Sequence, residues 1–189
     1  ASFSFSHIRP DSGLPLPIIH AMNQLGYHAV VLGNHDFEPP VSVLQQTIAA
    51  SKFLWLSGNA WMDGEDRLLL PPYLVLERQG VRVGIVGFTT PGVPLWIDPE
   101  RIAGLAFADL VDSAQKWSKI LRERENVDLL IGVFHSGDDL RHDQQIAQLR
   151  KLPLPNTAGL VADHVIDYDL IVSGHAHKLR PRKPTSRLT

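Results

Sequence analysis

Apolar positions in this sequence follow two rhythms, short unbroken runs and longer helically spaced stretches, and the two alternate along the chain. That alternation predicts an α/β fold, in which covered strands read as continuous apolar runs and the helices over them read as amphipathic. Helical spacing covers 18–25 and stops at Gly26, a residue suited to the left-handed position after a helix. A buried strand follows over 29–32 and ends at Gly33. Pro39 and Pro40 open a second helix over 41–50, and 53–56 is another short strand. Runs at 73–77 and 81–88 flank Arg78-Gln79-Gly80 as a hairpin. The best helix spans 107–125, with Leu110, Ala114, Trp117, Ile120 and Leu121 as its apolar stripe. A strand over 127–134, a helix over 157–165 and a strand over 170–172 complete the pattern. From 178 to 187 the chain turns basic and proline-containing, the mark of a solvated linker or tail.

Composition narrows the chemistry. The chain has 189 residues and is 44% hydrophobic, enough for one domain with a real core. A net charge of −2 argues against a broad nucleic-acid or membrane-surface binder. Cysteine is absent, which excludes disulfide scaffolds, cysteine–zinc sites and thiol catalysis; nine histidines and the carboxylates remain for metal chemistry. There is no internal repeat, no glycine-rich phosphate loop and no stripe of tryptophans for stacking nucleic-acid bases. No signal peptide is visible in residues 1–7, and every apolar run is well short of the ~20 residues of a membrane span.

Three of the apolar runs end alike. Val30-Val31-Leu32-Gly33 leads into Asn34-His35-Asp36, Leu130 to Phe134 into His135-Ser136-Gly137, and Ile171-Val172-Ser173-Gly174 into His175-Ala176-His177. Each puts histidine or a short amide or acid side chain just past the carboxyl end of a strand, the edge where ligands bind in α/β sheets. Singly, each has a plainer reading: an Asn/Asp turn, a lone strand-capping histidine, a weak H-x-H pair. Together they form a candidate site whose imidazole and amide donors suit Zn, Mn, Fe or Ni. His7, His20, His28, His142 and His164 lack convergent partners and are read as structural or surface residues. Asp138, Asp139 and Asp143 are read as a solvated acidic loop at a helix start, with orientation of a metal ligand as the lesser reading.

Gly33-Asn34-His35-Asp36, His135-Ser136-Gly137 and Gly174-His175-Ala176-His177 resemble the later signature blocks of the calcineurin-like metallophosphoesterases. Ala21 to Gly26, Phe37 and Leu154-Pro155-Asn156 narrow the resemblance to the 5′-nucleotidase and 2′,3′-cyclic-nucleotide 2′-phosphodiesterase branch, from about His20 to Lys178. The resemblance implies an αββα sandwich holding two divalent metal ions (Zn, Mn or Fe) bridged by a carboxylate. On these positions it implies that Asn34, His135 and His175 bind one metal and His177 the other, that His35 contacts the phosphoryl group, and that Glu38 orients His35. The implied function is metal-dependent hydrolysis of nucleotide phosphoesters, in nucleotide catabolism, in the periplasm or outside the cell. A nucleotide or small phosphoester is the implied partner, not a nucleic-acid polymer.

The family's first two blocks, an Asp-x-His and a Gly-Asp with the bridging aspartate, have no counterpart: no Asp-x-His occurs, and the single Gly-Asp is Gly137-Asp138. The expectation is therefore a sandwich incomplete at its N-terminal end, a partial domain over 1–178 with a basic tail or linker over 179–189. A fragment of a larger hydrolase is favoured, with a degenerate homologue or stretches missing from the sequence as alternatives. The alternative function is a catalytically incomplete metal- or phosphate-binding module. Missing strands would leave sheet edges open to a homodimer.

Overall fold

A computed structural model of the protein describes residues 17–139, 141 and 144–179. The expectations for 1–13, His7, His142, Asp143 and the tail beyond 179 lie outside the described residues. In chain order the elements are α1 (Pro17–Leu25), β1 (Ala29–Val31), a 3-10 turn (Asn34–Phe37), α2 (Val41–Ala50), β2 (Leu54–Leu56), β3 (Ala60–Met62), β4 (Tyr73–Arg78), β5 (Val81–Thr89), α3 (Val93–Trp96), a second 3-10 turn (Pro99–Ile102), β6 (Leu105–Phe107), α4 (Leu110–Glu123), β7 (Leu129–His135), α5 (Gln144–Leu149), α6 (Ala158–His164) and β8 (Leu170–Ser173).

β1 and β2 pair in parallel, with Val30 opposite Trp55. Ile19 of α1 and Leu44 of α2 are buried with Leu32, Phe37, Phe53 and Trp55 in one apolar cluster over this small sheet. A larger sheet has the order β4-β5-β7-β8. Its β4–β5 hairpin turns on Gln79 (φ 51°) and Gly80 (φ 80°), the pair of left-handed residues that a two-residue turn requires. Arg78 pairs with Val81, so it belongs to the strand and not to the expected turn. On one face, Val86, Phe88, Leu130 and Phe134 are buried against Leu110, Ala114 and Leu121 of α4 and Val161 of α6. The other face meets β1–β2. A Cβ at Gly87 would lie 2.6 Å from Val31 Cγ1 and 2.7 Å from Leu56 Cβ, so a glycine sets how closely the sheets approach. The layers are thus α1/α2, β1–β2, the four-stranded sheet and α4/α6: the αββα arrangement.

Helix 107–125 needs correction. Phe107 ends β6, opposite Ala60 of β3. The Asp109 side chain accepts from the backbone N–H groups of Val111 (2.8 Å) and Asp112 (3.1 Å), so the helix starts at Leu110. Phe107 lies in register with the apolar stripe, which is why periodicity alone carried the helix too far. β8 is held at its start: Asp169 Oδ2 accepts from Leu130 N and from Arg122 Nη2, each at 2.7 Å. This ties β8 to β7 and to the end of α4, and sets where the loop after β8 emerges.

Candidate active site

β1 leaves the core through Leu32 and Gly33 into the 3-10 turn. Asp36 Oδ2 accepts from Gly33 N at 2.7 Å and closes that turn; burial pushes the Asp36 carboxyl above its ordinary value. Phe37 anchors the turn below, edge-on to Phe107 at 5.4 Å. With Asp36 and Phe37 held, Asn34 points inward and His35 outward. His135 ends β7 on the face turned toward β1. A Cβ at Gly33 would lie 2.9 Å from His135 Cε1, so this glycine lets the imidazole lie against the β1 exit. Beyond β8 the chain turns sharply, with His175 (φ 75°) and His177 (φ 52°) both left-handed.

The three exits meet at one point. His135 Nε2 lies 2.9 Å from Asn34 Oδ1 and 3.3 Å from His175 Nδ1. Burial, with the nearby charges of His175, His35 and His177 adding to it, lowers the His135 pKa to about 4. At neutral pH the ring is therefore uncharged, the form in which imidazole binds a metal. The donor spacing fits an ion: with metal–nitrogen bonds of ~2.1 Å, neighbouring ligands stand ~3.0–3.4 Å apart in octahedral or tetrahedral geometry. Among the described residues no three histidine, cysteine, aspartate or glutamate groups converge, so the convergent set is one amide oxygen and two imidazoles. His177 is exposed and makes no hydrogen bond to these three among the described residues. With Asp138 and His175 it lines a cleft of about 540 Å³. His35 stands apart: its Nδ1 donates to Glu38 Oε1 at 2.7 Å, and both side chains are about half exposed, 54% and 49%.

Behind the site is a buried polar scaffold. The Pro155 carbonyl accepts from Thr90 Oγ1 (2.8 Å) and Ser136 Oγ (2.9 Å), Asn156 Oδ1 accepts from Gly137 N (3.2 Å), and Ser136 Oγ accepts from Thr157 N (3.2 Å). These bonds join the exits of β5 and β7 to the 155–157 loop. Sequence reasoning missed two contributors, Thr90 and Trp96, whose ring lies 5.2 Å from that of His175. The signal was present: Thr89-Thr90-Pro91-Gly92 is a fourth polar strand exit, leading into the short helix that ends at Trp96. Asp138 and Asp139 are half-buried, so this part of the acidic loop is not fully solvated; Asp143, directly before the helix Gln144–Leu149, lies outside the described residues.

No protein-family model matches the chain. The 5′-nucleotidase of Vibrio cholerae is 31% identical over 168 residues, which are 86% of this chain and 28% of that protein. The 2′,3′-cyclic-nucleotide 2′-phosphodiesterase/3′-nucleotidase of Yersinia enterocolitica is 27% identical over 176 residues, 88% of this chain and 26% of that protein. The chain thus spans little more than a quarter of the length of these relatives. Among solved structures, the calcineurin-like phosphoesterase YfkN of Bacillus subtilis superimposes with a TM-score of 0.80 at 27% identity, over 98% of this chain and 57% of that one.

Proposed function

For a chain that is a relative, over most of its length, of the 5′-nucleotidases and 2′,3′-cyclic-nucleotide phosphodiesterases and has the calcineurin-like phosphoesterase fold, we propose metal-dependent phosphoester hydrolysis on nucleotides. The observation that carries it is the meeting of Asn34 Oδ1, His135 Nε2 and His175 Nδ1 from three separate strand exits. Asn34, His135 and His175 hold one divalent ion, Zn, Mn or Fe; His177, beside the same cleft, serves a second. A bound divalent ion supplies charge neutralisation at the phosphate oxygens and an acidified water. The chain's own groups do the rest. The uncharged His135 ring and the Asn34 amide offer lone pairs without adding charge. Glu38 accepts from the Nδ1–H of His35 and so turns Nε2 outward; in the doubly protonated ring that pairs with the Glu38 carboxylate, Nε2–H donates a hydrogen bond to a phosphoryl oxygen or its proton to the departing oxygen. Residues 1–178 form a partial metallophosphoesterase-like domain, with 179–189 as a basic tail or linker, and the protein works in the periplasm or outside the cell. No helix among the described residues is long and apolar enough to cross a membrane. Among the described residues β8 has an open edge, with Leu170 and Val172 about half exposed, and a homodimer through open sheet edges of this kind is part of the proposal.

A second reading is favoured by the absence of a three-carboxylate or histidine cluster among the described residues: a module that binds a single ion or phosphate without turnover. One experiment separates the two. The purified protein, loaded with Mn or Zn, is assayed on 2′,3′-cyclic AMP, AMP and an aryl phosphate, and its metal content is measured. Metal-dependent turnover supports hydrolysis. One ion per chain without turnover of any substrate supports the second reading and sinks the first.

A further inference from the structure

His175 has weak support from its own strand. Among the described residues β8 is the last strand of its sheet, Leu170 and Val172 are 50% and 47% exposed, and Ser173 and Gly174 are exposed. Its φ of 75° is one that residues with a Cβ rarely adopt. Its imidazole faces the ring of His135 and the indole of Trp96, the latter with centroids 5.2 Å apart and planes inclined by 41°.

Trp96 is 37% exposed, with one side of its indole resting on the chain beside Gly92. It ends the short helix α3, whose first turn carries Pro94. Gly92 N donates to Thr90 Oγ1 at 3.1 Å, and Ile97 N to the Val93 carbonyl at 3.0 Å. A Cβ on Gly92 would fall 2.5 Å from Trp96 Cη2 and 2.5 Å from Pro155 Cβ, so the indole is packed onto bare backbone beside Pro155. The Pro155 carbonyl is in turn held by Thr90 and Ser136. The indole thus belongs to the β5 exit, which is tied to the 155–157 loop, while the imidazole it faces belongs to the β8 exit, where Ser173 and Gly174 are exposed.

We propose that Trp96 is a positioning residue: its indole holds the His175 imidazole so that Nδ1 faces the same point as Asn34 Oδ1 and His135 Nε2. The proposal rests on the metal-binding reading above for its consequence, and on the ring contact for its cause. Both are measurable on Trp96→Ala and Trp96→Phe. Zinc affinity is read by competition with a chromophoric chelator, and the order of the His175 ring by NMR of the zinc-free protein. Losing a group that orients a metal ligand typically weakens binding 10- to 100-fold. Trp96→Ala is expected to fall in that range and to broaden or split the His175 ring resonances. Trp96→Phe is expected to restore both. Trp96→Leu replaces the alanine variant if the latter does not fold by circular dichroism. Unchanged zinc affinity, or an equally ordered His175 ring without the indole, overturns the proposal. If the unmutated protein takes up no zinc, the metal-binding reading fails, and the zinc-free NMR comparison still decides whether Trp96 orients His175.

Discussion

Asn34 and His35 are neighbours in sequence and opposites in surroundings: Asn34 is 6% exposed and bonded to His135, while the His35 side chain is 54% exposed and paired with Glu38. The two should therefore fail differently. His35→Ala is expected to keep metal affinity and lose turnover by roughly 10²–10⁴-fold, the scale of a proton-donating or charge-stabilising group. Loss of metal binding in that variant would reassign His35 to the ligand set. An exposed ion pair contributes little to stability, so the bond from Glu38 matters for the direction of the ring. His135 makes the opposite kind of statement. Its folded pKa, about 4, lies below the 6.5 of an unperturbed ring, so between these values the unfolded chain binds more protons. Stability is complete above pH ~6.5 and is lost as pH falls toward 4, by up to ~3 kcal/mol. Urea midpoints of the metal-free protein at pH 7.5 and 5 test this: the drop should shrink in His135→Asn, and an equal drop in both proteins would contradict it.

Among the elements, those bounded by local chemistry were legible. Helix 41–50 stands where the prolines and spacing put it, Gly26 ends α1 with φ 70°, and the Gln79-Gly80 turn closes the hairpin. The start of α4 was misread because an Asp cap overrides an apolar stripe that runs on into β6. β3, β6, α3 and α5 have three to six residues each, too few to carry a period, and pairing or packing with distant segments defines them. Close approach between the two sheets shows at Gly87, where a Cβ would meet Val31 and Leu56. Gly87→Val should drive methyl groups into Val31 and Leu56 and cost ~1–3 kcal/mol in urea denaturation. A neutral result would mean that the sheets part freely.

Over the whole molecule, the candidate ligands bind the layers together: Asn34 leaves the small sheet, and His135 and His175 leave the large one. A divalent ion held there should stabilise the fold by mass action, by about 2.7 kcal/mol at a hundredfold excess over Kd. Thermal unfolding with zinc and after chelation measures the increment, which His135→Ala should remove. The sequence alone determined the alternation of strands and helices, and which histidines follow strand ends, because periodicity and strand-exit motifs are properties of contiguous residues. It could not show that Asn34 meets His135 across 101 positions and His135 meets His175 across 40, or that His177 stands off while Trp96 closes in. Those outcomes were decided by the parallel register of β7 and β8 and by bare backbone at Gly33, Gly87 and Gly92. Register and close approach are set by packing between segments far apart in the chain, and only the folded molecule brings those segments together.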